Sequence, residues 1–251
     1  MSEPVIRVDN LTMGWDDVVL QRDATFTVDH SEIFVILGGS GSGKSTLLRY
    51  LIGLEAPLAG DILVQGSKPT LHTLGAPSFG VMFQSGALLG SYTVGENVAL
   101  PLGEWTDLPR GAIDAIVQAK LRLVGLDQVE DMMPAELSGG MKKRAAIARA
   151  MALEPKLLFL DEPSAGLDPI TAAELDELII ALNRELGLTV VVVTHDLDSI
   201  EAIGHRCIML DRATKSIIAQ GDPRELRKTS RDERVRAFFQ RRPQEPTERA
   251  P

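Results

Sequence analysis

The stretch Gly38-Gly39-Ser40-Gly41-Ser42-Gly43-Lys44-Ser45-Thr46 restricts the fold more than any other, because it lies between two hydrophobic segments of different period. Before it runs Ile33-Phe34-Val35-Ile36-Leu37, apolar throughout and of strand length; after it Leu47, Leu48, Leu51 and Ile52 recur at helical spacing. Strand, glycine loop and helix in that order satisfy G-x-x-x-x-G-K-[ST], with Gly38, Gly43, Lys44 and Ser45 at the fixed positions. A loop nearly free of side chains can turn its N–H groups inward, and the helix start adds the positive end of its dipole, so the stretch reads as a cradle for a polyphosphate. Lys44 then reaches the β- and γ-phosphates and Ser45 takes one position on a magnesium ion, with Thr46 less constrained. A flexible glycine linker would not sit between a buried strand and an amphipathic helix.

At 251 residues and 44% hydrophobic content the chain can build one large domain or a domain with an inserted subdomain. Its longest apolar runs, 33–37 and 190–193, are strand-sized and far below the roughly 18 residues of a membrane span, so no bilayer crossing is expected. Met1-Ser2-Glu3-Pro4 has no apolar region behind it, which predicts no secretory signal and a cytosolic chain. The single cysteine, Cys207, cannot form an internal disulfide and lies in the apolar run Cys207-Ile208-Met209-Leu210, where a buried packing role is expected. A net charge of −9 argues against a nucleic-acid-coating protein. The charge is uneven: residues 224–242 hold eight Lys/Arg against three Asp/Glu, either a solvated helix face or a surface for a membrane or an acidic partner.

Short alternating runs at 5–8, 18–20 and 25–28 predict an antiparallel sheet beside the nucleotide core, with Trp15 in its first turn, either stacked on an adenine or partly buried. Asp61-Ile62-Leu63-Val64-Gln65-Gly66 reads as a strand into a turn, and Phe79-Gly80-Val81-Met82-Phe83-Gln84 as a buried strand. Gln84 ends that strand, pointing either at the ligand or into water. Between 85 and 153 no strong strand appears; 111–124 and 138–153 are helix-rich, whereas the apolar residues of 87–100 lack the period of one packed helix. Within this inserted helical region Leu137-Ser138-Gly139-Gly140-Met141 is either an ordinary N-cap at Ser138 or a second anion site whose glycines leave the first N–H groups uncovered. The strand 157–162 then delivers Asp161 and Glu162 at its carboxyl end, and because a strand alternates its side chains the two cannot share one role: one can hold the magnesium shell while the other faces an attacking water. Asp168 before Pro169 is an N-cap signal or a direct participant in the site, for a helix that Gly187 stops. His195 follows the strand 190–193 as a structural histidine or a γ-phosphate contact. Runs 207–210 and 216–220 close the sheet, Asp222-Pro223 opens a terminal helix, and a disordered tail is expected after Pro243.

Taken together, the phosphate loop, Gln84, 137–141, Asp161-Glu162, 164–168 and His195 stand in the order of the ATP-binding cassette ATPases, which the chain resembles from about residue 5 to 225. The resemblance implies an α/β fold: a P-loop NTPase core with a mostly parallel sheet, an N-terminal antiparallel β subdomain and an inserted helical subdomain. It divides the chain at 1–84, the first part of the core; 85–153, the helical subdomain; 154–223, the second part of the core; and 224–251, a basic helix and tail. It further implies a head-to-tail homodimer binding ATP and Mg2+, with Lys44 and the rest of 38–46 from one copy and Ser138, Gly139 and Gly140 from the other. Under it Glu162 is the catalytic base and His195 the γ-phosphate sensor. Ser45, Gln84 and Asp161 are metal ligands, Trp15 stacks on adenine, and Asp168 connects the two sites. Residues 83–89, 137–146 and 168–171 look most like the Mce-associated ATPases of Mla phospholipid transport systems, although Met141 replaces the glutamine usual in cassette ATPases. That branch implies work at the cytoplasmic face of the inner membrane with a separate permease, and as further partners a small regulatory subunit and a lipid-carrier subunit. An importer or exporter subunit for another small molecule is the alternative, and no nucleic-acid partner is expected.

Overall fold

The computed structural model describes residues 3–15, 18–69 and 75–241, so the expected tail after Pro243 lies outside it. The three short runs expected over 5–28 are two long antiparallel strands, β1 (Ile6–Trp15) and β2 (Val18–Val28). Alternation breaks where their register shifts, and Asn10 and Asp23 take left-handed φ values of 48° and 51°, so the hydrophobic period is interrupted without the chain leaving the sheet. After β3 (Ile33–Gly38) and α1 (Lys44–Leu51), β4 (Ala59–Val64) pairs antiparallel with β1 and completes the order β2-β1-β4.

The chain continues through β5 (Phe79–Met82), α2 (Val94–Trp105), α3 (Arg110–Leu123), α4 (Gly139–Ala150), β6 (Leu157–Asp161), α5 (Pro169–Leu186) and β7 (Thr189–Val193). The lack of one packed helix over 87–100 is corrected by α2. Its start carries a capping box, in which the Thr93 hydroxyl accepts from the Glu96 N–H and the Glu96 carboxylate accepts from the Thr93 N–H. Gly95 and Pro101 lower its helical propensity, and Asn97 interrupts its buried face of Val94, Val98 and Leu102, which is why the pattern hides it. The last elements are α6 (Leu197–Ile203), β8 (Arg206–Asp211), β9 (Ser216–Gly221), α7 (Pro223–Thr229) and α8 (Glu233–Phe239). The single expected terminal helix is thus two, capped by Asp222 and Asp232.

Two compact units result. The first, Met1–Leu71 with Val193–Pro251, holds the antiparallel sheet and a second group in which β3 runs parallel to β8 and β8 antiparallel to β9. Arg206 forks onto Glu32 (2.5 and 2.8 Å) and lies over the Phe34 ring, fixing where β8 starts against β3. Val35 and Leu37 of β3, Cys207 and Met209 of β8, Leu197 and Ile200 of α6, and Val235 and Phe239 of α8 form one buried cluster. The basic helices meet acids inside this unit: Arg227 pairs with Glu201, Arg241 with Asp198, and Arg234 with Asp232 and Asp211, which favours the solvated-face reading of 224–242. The second unit, His72–Val192, pairs β5 parallel with β6, places β7 beside β6, and carries α2 to α5. The whole is an α/β fold with a P-loop NTPase core, an N-terminal antiparallel sheet and an inserted helical region, as the sequence implies. Among the described residues no helix is long and apolar enough to cross a membrane.

Candidate functional site

In the first unit the phosphate loop begins where β3 ends. Gly43 has φ 95°, in the left-handed region, so its backbone conformation calls for glycine; a Cβ there would also lie 2.8 Å from Met13 Cε, the movable end of a flexible side chain. The α1 helix starts at Lys44 with no side-chain cap and no acid in its first turn, which leaves its leading N–H groups to an anion. The Lys44 ammonium folds back onto the loop, donating to the carbonyls of Gly38 (2.9 Å) and Gly39 (3.3 Å). Ser40, Gly41 and Ser45 are exposed, Gly39 and Thr46 half-buried, and the buried Ser42 hydroxyl has no protein partner. A glycine turn, an uncapped helix start and an ammonium are the donor set a polyphosphate needs.

Trp15 is the last residue of β1, paired with Val18 and 48% exposed, rather than in a turn. Beside it the Tyr50 hydroxyl donates to the Gly14 carbonyl (2.9 Å) and accepts from the Gly14 N–H (3.2 Å), which fixes that backbone. His195 emerges exposed after β7, just before Asp196, the N-cap of α6. Gln21 escapes sequence reading altogether. It is fully buried, and its amide donates to the carbonyls of Ser42 in the phosphate loop (2.9 Å) and Asp211 at the end of β8 (3.0 Å). A lone glutamine in an alternating strand gives no signal of this.

In the second unit β5 stops at Met82. Phe83 is 38% exposed and Gln84 lies exposed in a turn, which corrects the buried strand expected to run through both. Ser138 caps α4, its hydroxyl accepting from the Met141 N–H (3.2 Å). Ser138 and Gly139 are exposed, whereas Gly140 is buried against α5, where a Cβ would come within 2.5 Å of Thr171 Cγ2. Asp168 is the N-cap of α5, accepting from the Ile170 and Thr171 N–H groups (both 3.1 Å) and from the Thr171 hydroxyl (2.6 Å). The bonds from Thr171, its hydroxyl first, hold the Asp168 carboxyl below the usual carboxylate range.

Asp161 ends β6 and Glu162 follows it, both buried. The strand does not continue through Glu162, whose φ of 49° is left-handed; this turn, not the pleat, separates the two side chains. A non-glycine residue there costs about 1–3 kcal/mol and persists only where its surroundings hold it. The surroundings include Lys143, a second residue the sequence conceals. Its buried ammonium donates to the carbonyls of Gln84 (2.5 Å) and Glu162 (3.1 Å). Desolvation lowers its pKa, against the opposing pull of the Glu162 and Asp161 charges. Lys142-Lys143-Arg144 reads as a solvated cationic run, although the buried Gly140 and Ile147 flank Lys143 at helical spacing and mark the inward face.

Residues 21–165, from β2 to beyond Glu162, match the model of the ABC transporter family. The chain belongs to the ABC transporter family. Among curated members it is 40% identical over 240 residues to the probable ribonucleotide transport ATP-binding protein mkl of Mycobacterium tuberculosis, covering 93% of this chain. The chain spans only 66% of that relative's length. It is 44% identical over 221 residues to the intermembrane phospholipid transport system ATP-binding protein MlaF of Escherichia coli, covering 86% of this chain and 81% of MlaF. Among solved ABC structures, cbiO1 from Clostridium perfringens, part of the ABC transporter complex cbiONQ, superposes with a TM-score of 0.79 at 30% identity, over 90% of this chain and 91% of that one. An ATP-binding cassette solved as a dimer in a post-hydrolysis state with ADP and Pi gives 0.76 at 29% identity, over 86% and 98%.

Proposed function

We propose that this chain is the ATP-hydrolysing subunit of an ABC transporter, working as a homodimer on a separate membrane permease at the cytoplasmic face. The observation that carries the reading is the glycine loop with its uncapped helix start and Lys44, inside a segment matched by the family model. Residues 38–46 bind the phosphates, with Trp15 against the adenine. Among the described residues no cluster of three or more His, Cys, Asp or Glu could hold a metal. By the family resemblance, Ser45, Gln84 and Asp161 would hold magnesium, whose remaining positions would go to phosphates and water. When bound it neutralises charge on the β- and γ-oxygens. Glu162 accepts the proton of the attacking water, His195 contacts the γ-phosphate, and Ser138, Gly139 and Gly140 serve the nucleotide on the other copy, with Asp168 linking the two sites. Glu162→Gln is expected to keep ATP binding while hydrolysis by the subunit and its co-purified permease falls about 10²–10⁴-fold. Asp161→Asn instead weakens magnesium-dependent binding. Wild-type turnover in Glu162→Gln overturns the assignment of the base.

For the cargo, relatives named for ribonucleotide transport and for phospholipid transport match at 40% and 44% identity. The broader reading, an importer or exporter subunit for some small molecule, is therefore better supported than phospholipid alone. Phospholipid is the narrower proposal within it, resting on residues 83–89, 137–146 and 168–171. Reconstitution of the co-purified complex into vesicles tests it: ATP-dependent movement of a fluorescent phospholipid supports a lipid cargo, and ATP-dependent uptake of a ribonucleotide in its place overturns it.

A further inference from the structure

We infer that Lys143 is a positioning residue for ATP hydrolysis, one ammonium that clamps the Gln84 turn and the left-handed Glu162 backbone to each other. Three observations converge on it. Lys143 is a buried cation in α4, and its ammonium is held at two backbone carbonyls, those of Gln84 and Glu162. The two carbonyls belong to segments far apart in sequence, one just beyond β5 and one just beyond β6, so the ammonium ties together the ends of two neighbouring strands. Glu162 holds a backbone conformation that L-residues avoid, and the ammonium binds the carbonyl of that same residue.

A single donor group satisfying both carbonyls makes the position of one depend on the other. If the Gln84 turn shifts, the ammonium must follow or release a buried carbonyl, and the Glu162 peptide loses the charge-assisted bond that favours its turn. The Glu162 carboxylate would then swing with its backbone. Lys143 touches neither nucleotide nor water in this scheme; it sets where two groups that do so stand. A glutamine at this site is too short to span both carbonyls, whereas arginine carries donors enough to reach both.

The inference rests on the reading of Glu162 as the base, so the experiment carries that test alongside. Wild type, Lys143→Met, Lys143→Gln, Lys143→Arg and Glu162→Gln are each purified with the permease, and kcat, KM for ATP and nucleotide affinity are measured. The expected result is a kcat for Lys143→Met lowered about tenfold or more, as a misplaced reacting group typically costs, with ATP affinity within about twofold of wild type. Lys143→Arg recovers most of the loss, and Lys143→Gln does not. Should Lys143→Met fail to fold, Lys143→Gln against Lys143→Arg carries the same comparison. A Lys143 variant without the clamp that turns over at the wild-type rate overturns the inference, as does loss of ATP affinity in step with kcat, or an arginine variant no better than methionine. If Glu162→Gln itself hydrolyses normally, it is the reading of the base that falls.

Discussion

At the scale of single residues, side chains that bind backbone matter as much as those expected to bind nucleotide. Lys44, Ser45, Asp161 and Glu162 are legible because their motifs fix residue type and spacing. Gln21 and Lys143 are not, because a hydrogen bond to a carbonyl demands no particular sequence around that carbonyl, only that the fold bring it within reach. Gln21→Leu leaves the Ser42 and Asp211 carbonyls buried without their partner, at about 1–3 kcal/mol for each such group. Weaker ATP binding and a lower unfolding midpoint are expected, read by nucleotide titration and thermal melting; an unchanged affinity would detach Gln21 from the phosphate loop. Cys207 behaves as its apolar run suggests. It is buried, and desolvation pushes its thiol up to about 12. The folded chain should therefore resist alkylation at pH 8 and react once unfolded. Because the raised pKa keeps the proton on in the folded state, the thiol's contribution to stability is whole below the ordinary thiol range and is lost as pH climbs toward 12.

Among the elements, those announced by caps are legible and those built around a buried polar residue are not. Ser138 and Asp168 cap α4 and α5, and Gly187 closes α5 in the left-handed region, all as their sequence signals require. The α2 helix is hidden by Asn97, which sits on its buried face where an apolar residue would have revealed the period. There the Asn97 amide donates to the carbonyls of Leu89, Tyr92 and Thr93 and accepts from the Leu89 N–H, so one side chain fastens the loop before α2 onto the helix. Leu89 and Tyr92 stay about 40% exposed on that loop. Asn97→Ala should destabilise the protein by about 1–3 kcal/mol, and, if this loop meets the permease, should reduce co-purification more than it reduces ATP binding. Equal losses of both would confine Asn97 to folding.

For the whole molecule, the proposed pairing of copies makes a prediction no single subunit can meet. Subunits carrying Lys44→Ala mixed with subunits carrying Ser138→Arg should form heterodimers with one site doubly damaged and one intact, and some ATP binding should return; heterodimers that bind no ATP would count against the head-to-tail arrangement. The fold class is legible because periods and motif order survive in sequence, whereas the paired charges of the terminal helices depend on acids at 198, 201 and 211 that only folding brings near. The strand that carries the phosphate loop has its parallel neighbour at 206–211 and part of its apolar cover at 235 and 239, so the first unit joins the two ends of the described chain. On a ribosome, the loop is made early and must wait for the entire second unit to be translated before its strand is paired and covered. A nascent cassette should thus emerge unable to grip nucleotide, with Val35 and Leu37 open to chaperones, and should acquire affinity for ATP only once residues 206–239 have been made.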